Sequence, residues 1–330
     1  MAKARELTKG FCRVCPQCNG VACAGEVPGM GGLGSGASFK NNISALADIK
    51  LNLRVLHQAA RPDLRCNFMG IDLAMPVMAA PIGGIAFNMA KDFVEADYTD
   101  AIAQGCLQAG VMGCLGDSAR DDVVEASFAT LPKVDKRALM FFKPWEQKNV
   151  FAKLDRLNSS LPVGMDVDAA GLITLALMDK SVSPKSPADI KAIVEYAKRP
   201  FIVKGVMTVD EALIAAKAGA KAVVVSNHGG RVLDHTPGSA AVLPAIARAA
   251  KGHMKVIVDG GVRSGADVLK MLALGADLVF IGRPLAIAAV GGGAEGVARY
   301  LNKIKSELTS AMIMTGCASV ADITGRVIYK

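Results

Sequence analysis

Lys221-Ala222-Val223-Val224-Val225-Ser226-Asn227-His228-Gly229-Gly230-Arg231-Val232-Leu233-Asp234 joins an apolar run to a polar loop. A short apolar run rich in β-branched residues reads as a strand of a parallel sheet, buried on both faces. The loop that leaves it carries an imidazole and a guanidinium three residues apart, a candidate base and a candidate carboxylate clamp. Two glycines between them let the backbone fold closely around a ligand. Taken alone, the loop also reads as a turn whose imidazole satisfies a neighbouring carbonyl.

The flanking sequence decides for the first reading. Phe201-Ile202-Val203-Lys204-Gly205 precedes this stretch, Val256-Ile257-Val258-Asp259-Gly260-Gly261 follows it, and Phe280-Ile281-Gly282-Arg283-Pro284 comes after. Each is a short apolar strand ending in a polar or glycine-rich turn, and helix-length segments separate them. Eight strands are expected along the chain, at 74–79, 110–115, 138–142, 163–168, 201–204, 221–226, 255–259 and 277–281. Helices at 97–109, 208–218, 264–274 and 296–314 belong to the intervening series, with glycine following at Gly110, Gly219 and Gly275 as helix C-caps require. The count predicts an α/β fold, a (β/α)8 TIM barrel with its chemistry at the C-terminal ends of the strands.

Residues 1–40 read as a separate Cys-rich and Gly-rich arm, and residues 41–330 as the barrel. The glycine run from Pro28 to Gly36 excludes a helix there. Ile43, Leu46, Ile49, Leu53 and Leu56 have helical spacing over 42–58, a helix expected to cap the bottom of the barrel or pack beside it. The 330 residues, 52% hydrophobic, suffice for one large domain. The charged N-terminus lacks the apolar core of a signal peptide, and no stretch has the roughly 18 apolar residues of a membrane span, so a cytoplasmic protein is expected. A net charge of +8 is spread along the chain with one Trp and four Tyr for stacking, which argues against nucleic acid and for a basic surface that steers anionic ligands.

Phosphate binding is legible from the barrel alone, because the loops after the seventh and eighth strands commonly seat one. Gly260, Gly261 and Arg263 follow the seventh strand, and Gly282 and Arg283 the eighth. Backbone amides and helix N-termini supply donors there, and the arginines supply charge.

VKGV at 203–206, SNHGGRVLD at 226–234, DGGVRSGADV at 259–268, ALGADLVFIGRP at 273–284 and TGC at 315–317 together resemble the FMN-dependent α-hydroxy-acid oxidase and dehydrogenase family, which includes glycolate oxidase, lactate oxidase and flavocytochrome-type L-lactate dehydrogenase. The resemblance is close over 201–323, looser over 73–168 and absent before residue 40. It implies bound FMN and oxidation of an L-2-hydroxy acid, lactate-like, to the 2-oxo acid, with His228 as base while two electrons pass to flavin N5. It further implies Asp168 as the carboxylate that holds the imidazolium, Arg231 as the substrate-carboxylate clamp, Lys204 beside flavin N1 and O2, and Asp259 on the ribityl chain. Ala80, Pro81, Ile82 and Ser226 complete the implied flavin-binding set. A homo-oligomer, tetramer or octamer, is implied too.

Departures from that pattern are equally readable. Lys143-Pro144-Trp145 stands where the family has Gln-x-Tyr, so Trp145 replaces a substrate-contacting tyrosine and Lys143 joins the cofactor side. Asp166 aligns with a flavin-contacting threonine and is expected either to accept flavin N3–H or to pair with Lys143. Gly116 aligns with a flavin-binding serine, and Leu175 with a second substrate arginine. The segment at 178–187 is shorter than the long loop common in the family. Competing readings are a type 2 isopentenyl diphosphate isomerase, compatible with Ala80-Pro81-Ile82-Gly83-Gly84, and a non-catalytic flavin redox or sensor protein.

Cys12-x2-Cys15-x2-Cys18-x4-Cys23 is the second sharp signal. Four thiols in twelve residues without a secretion signal argue for a metal over disulfides. The first three repeat a ferredoxin-like spacing, so a [4Fe-4S] cluster is one reading, with zinc and a metal-free thiol arm as the others. A cluster would make a redox partner, not oxygen, the electron acceptor. Cys66, Cys106, Cys114 and Cys317 read as small core residues.

Overall fold

A computed structural model describes residues 1–178 and 182–329. An antiparallel hairpin, β1 (Cys66–Phe68) and β2 (Ile71–Leu73), precedes eight parallel strands. These are β3 (Val77–Ile82), β4 (Gly113–Leu115), β5 (Ala138–Phe142), β6 (Val163–Asp166), β7 (Phe201–Val206), β8 (Ala222–Val225), β9 (Lys255–Val258) and β10 (Leu278–Ile281). Each pairs with its neighbour in chain order and β10 closes onto β3, giving the expected (β/α)8 barrel. The barrel strands bury nearly every side chain, as strands covered by helices outside and packed against each other inside must. Phe141 and Phe280 meet edge to face across the interior, with ring centres 6.0 Å apart.

Strand ends differ from the sequence reading by a few residues. The first strand starts at Val77, not 74, and the second at Gly113, not 110. The fourth stops at Asp166, because Val167–Gly171 turns into a 3-10 helix that carries Asp168 away from the sheet. Gly110, Gly219 and Gly275 all take the left-handed backbone expected after a helix. The last helix is longer than 296–314: it runs Arg283–Thr315 and breaks at Gly293.

The helix expected over 42–58 is instead Ala37–Asp48, and the chain beyond Ile49 is extended or turning. It lies at the site end of the barrel, not at the bottom. Its Asn42 bonds Asn227 and Ser239, and its backbone closes against Gly261. The helix has no cap of its own at Gly36; Asp234 supplies one from 196 or more residues away, accepting from the amides of Ser35, Ala37 and Ser38. The division expected at 40/41 therefore runs through a helix. Ala4, Val14 and Met30 of the arm share the hydrophobic core of the barrel. Residues 179–181, part of the shortened 178–187 segment, lie outside the described residues.

Candidate active site

The loop after β8 bends back through three successive left-handed residues, His228, Gly229 and Gly230. For histidine this conformation is costly, on the order of 1–3 kcal/mol, and persists only where the surroundings fix it. Asn227, buried beneath the loop, does so. Its side-chain oxygen accepts from Asn42 (2.7 Å) and from the Gly230 amide (3.2 Å), and its nitrogen donates to Thr236 and Pro237, each at 3.1 Å. Ser226 Oγ accepts the His228 amide at 3.1 Å.

That bend sets the imidazole against Asp168 of the 3-10 turn, with Nδ1 3.0 Å from Oδ1. A carboxylate acceptor fixes the proton on Nδ1 and leaves Nε2 to take one. Burial holds the His228 pKa below its ordinary value, and Asp168 opposes that only in part. The ring is thus a neutral base at neutral pH.

Behind it lies a buried charge group. Asp166 at the end of β6 pairs with Lys143 Nζ at 2.6 Å and with Lys204 Nζ at 3.2 Å. Burial works against its charge, but the two ammonium groups outweigh that and hold its carboxyl below the usual range. Lys204 is likewise disfavoured by burial, yet Asp166, Asp168 and Asp259 more than restore its charge. Asp166, Asp168 and His228 come close enough together to hold a metal ion, but the lysines already neutralise that acidic pair.

One pocket at the C-terminal end of the barrel gathers most of the expected residues. Lys143, Lys204, His228 and Arg231 line it, with Ala80, Pro81 and Ile82 on one side. Asp259, Gly260, Gly261, Arg263, Gly282 and Arg283 form the opposite wall. Gly116, Asp166, Asp168 and Ser226 stand behind the walls. Trp145 is also outside: its indole donates to Asp117 at 2.5 Å, a carboxylate that also holds Lys153 and the Lys143 amide. The substrate contact expected of Trp145 is thus replaced by a structural one, because the indole is held by the buried Asp117 carboxylate away from the pocket lining. Leu175 lines the pocket as an apolar surface, leaving Arg231 without a second guanidinium opposite.

The walls suit FMN. Arg263 Nε and Asp259 Oδ1 are buried without a partner, donor and acceptor respectively, where a phosphate and a polyol would meet them. Gly260 and Gly261 both take positive φ, and a side chain on either would strike Ser239 or Asn42, so the amides there can approach a phosphate closely. Burial and the neighbouring Arg231 and Arg263 push the Arg283 guanidinium down to about 9, the mark of clustered cations awaiting an anion.

Several participants carry no local signal. Asn88 Oδ1 accepts from Arg231 at 2.8 Å, the Gly29 carbonyl accepts from the same guanidinium, and Met30 lines the pocket. Burial pushes the Glu95 carboxyl up to about 7 while it holds the Gly84 and Ile85 amides at the pocket rim. Only tertiary contact reveals these residues. The four arm cysteines surround a second, smaller cavity that shares Met30 and Arg283 with the first.

The family model for FMN-dependent dehydrogenases matches residues 29–156 and 118–330. An L-lactate oxidase of Lactobacillus jensenii is 34% identical over 319 residues, 87% of this chain and 76% of that protein. Glycolate oxidase 1 of Oryza sativa subsp. indica is 31% identical over 332 residues, 88% of this chain and 87% of that one. A crystal structure of mandelate oxidase with (S)-2-phenylpropionate superposes with a TM-score of 0.78 at 25% identity, covering 99% of this chain and 96% of the other. With a closed barrel, a paired His–Asp and a wall of glycines and arginines in agreement with these matches, the chain belongs to the FMN-dependent dehydrogenase family.

Proposed function

We propose that the protein oxidises an L-2-hydroxy acid with an apolar side chain, lactate-like, to the 2-oxo acid. The observation that carries this reading is the juxtaposition of His228, held on Asp168, with a half-buried Arg231 that has no carboxylate partner among the described residues. Burial alone lowers the Arg231 guanidinium to about 10, so a substrate carboxylate entering the pocket restores a charge the fold has left uncompensated. Gly29 and Asn88 hold one edge of the guanidinium and fix its direction. Leu172 and Leu175 offer the substrate side chain an apolar wall.

FMN, when bound, supplies the two-electron acceptor. His228 Nε2 takes the proton of the substrate, and the imidazolium formed is stabilised by Asp168. Arg263, Arg283 and the Gly260–Gly261 amides would hold the phosphate, Asp259 the polyol, and Lys204 the edge of the ring where negative charge gathers on reduction. Asp166 keeps Lys204 charged and in place.

Relatives named as lactate, glycolate and mandelate oxidases support this reading over the diphosphate isomerase. The sensor alternative is separated by turnover. FMN-loaded protein is mixed anaerobically with L-lactate, glycolate and L-mandelate. Bleaching of the flavin by at least one is expected; no bleaching by any of them overturns the substrate class.

Eight free cysteines favour a reducing, cytoplasmic setting. No helix among the described residues is long and apolar enough to cross a membrane. Leu53, Val55 and Leu56 stand 70%, 62% and 99% exposed on one segment, an apolar surface that supports a homo-oligomer.

A further inference from the structure

Cys12, Cys15, Cys18 and Cys23 have no part in the flavin chemistry, and they precede residue 29, where the family model begins. The fold nevertheless brings all four to the wall of one cavity. None forms a disulfide. The chain between them is constrained to this shape: Val14, a β-branched residue, sits at φ +47, and Gly20 at φ +80 would drive a side chain into the Phe39 ring.

Two donors point at the sulfurs. The Val14 amide donates to Cys12 Sγ at 3.3 Å, and Arg263 Nη2 to Cys18 Sγ at 3.4 Å. A neutral thiol is a weak acceptor, whereas a thiolate on a metal is a good one, and hydrogen bonds to sulfur tune such centres. No carboxylate or imidazole lines the cavity, so its metal ligands are soft sulfur alone, which excludes magnesium and calcium chemistry. A single tetrahedral zinc with bonds of about 2.3 Å would draw its sulfurs to roughly 3.8 Å from one another. Among the described residues, no three of these thiols lie mutually within 4.8 Å. Four sulfurs at the wall of one void can serve a core of several irons with one thiolate to each.

We propose that Cys12, Cys15, Cys18 and Cys23 hold a [4Fe-4S] cluster, set against Arg263 and Arg283 at the wall of the flavin pocket. Cys12, Cys15 and Cys18 have the x2, x2 spacing that ligates three irons of one cube, and Cys23 completes it. Four thiolates on such a core leave a net charge of about −2. That charge falls beside Arg283, a half-buried guanidinium that stacks on Phe39 at 4.0 Å and donates to the carbonyls of Met30, Gly31 and Gly229. The cluster also gives the arm a reason for its shape, since a loop with so little apolar content of its own is fixed best by a shared metal core.

The test uses the full chain purified anaerobically, analysed for iron, acid-labile sulfide and zinc. About four irons and four sulfides per chain are expected, with an electron paramagnetic resonance signal after dithionite reduction. Cys15→Ser and Cys18→Ser should lose the iron and the signal while retaining flavin absorbance, and Cys66→Ser should retain everything. If the serine variants fail to fold, chelator-treated wild-type protein should take up about four irons on addition of ferrous iron and sulfide. One zinc without sulfide, a disulfide pair, or four titratable thiols in protein that takes up no iron would each overturn the proposal. Flavin bleaching by hydroxy acids is a separate readout, so failure of the cluster and failure of the hydroxy-acid reading are told apart.

Discussion

Replacing Asp168 by Asn keeps the shape behind the base and removes its charge. The Nδ1 to Oδ1 distance is 3.0 Å, which places the centres of imidazolium and carboxylate charge roughly 4 Å apart. At that separation, with an effective dielectric of about 20, the pair is worth about 4 kcal/mol once the ring is protonated. The amide oxygen still accepts the Nδ1 proton and recovers about 1 kcal/mol. The remaining loss, about 3 kcal/mol, acts on the transition state and slows flavin reduction roughly 10²-fold. The assay is anaerobic stopped-flow of FMN-loaded Asp168→Asn with L-lactate, followed at the flavin absorbance over a range of pH. Because Asp168 raises the base while burial lowers it, the acid limb of the profile should also move to lower pH. A loss below about threefold with an unmoved limb would refute the assignment of Asp168 as the anchor of the base.

Four further outcomes follow from the same geometry. Arg231→Lys keeps the charge but loses one of two parallel donors, so the KM for L-lactate should rise about 10- to 100-fold, measured by steady-state kinetics, with FMN content unchanged. For wild-type protein, kcat/KM should hold nearly level from alkaline pH down past 6.5, because the folded His228 takes a proton only below its ordinary value. The matching stability contribution is fully present above about pH 6.5 and is lost as pH falls through the depressed folded value, which thermal melts at pH 5 and 7.5 would detect. Asn227→Ala removes four side-chain hydrogen bonds and strands the Asn42 amide nitrogen in a buried site, with an expected cost of roughly 2–4 kcal/mol and a Tm lower by about 3–6 °C; a shift under about 1 °C would show that Asn227 does not fix the His228 bend.

The barrel was legible because its strands are short, apolar and closed by glycine or charge, as 221–225 and 255–259 illustrate. The placement of Gly260, Gly261 and Arg263 at the pocket was legible for the same reason, since they follow a strand directly. Legibility fails where a residue is placed by contacts across the chain. Trp145 stands at a substrate position in the linear pattern, but Asp117, 28 residues earlier, captures its indole. The helical spacing over 42–58 was real only to Asp48, since Leu51 bridges to Ile328 at the far end of the chain and draws the backbone out of helix. Asp234 reads as the end of a loop, and its work as a helix cap for Ala37–Asp48 depends on a partner about 200 residues away. Glu95 gives no hint in sequence that burial shifts it toward neutrality.

The carbonyls of Gly29, Met30 and Gly31 grip Arg231 and Arg283, and Leu33 bonds Gly230. Residues 29–33 therefore have their partners only once residues 230–283 are in place. Contacts this distant in sequence form late in folding. The mouth of the barrel is thus covered by a segment whose hold depends on partners about 200 to 250 residues away.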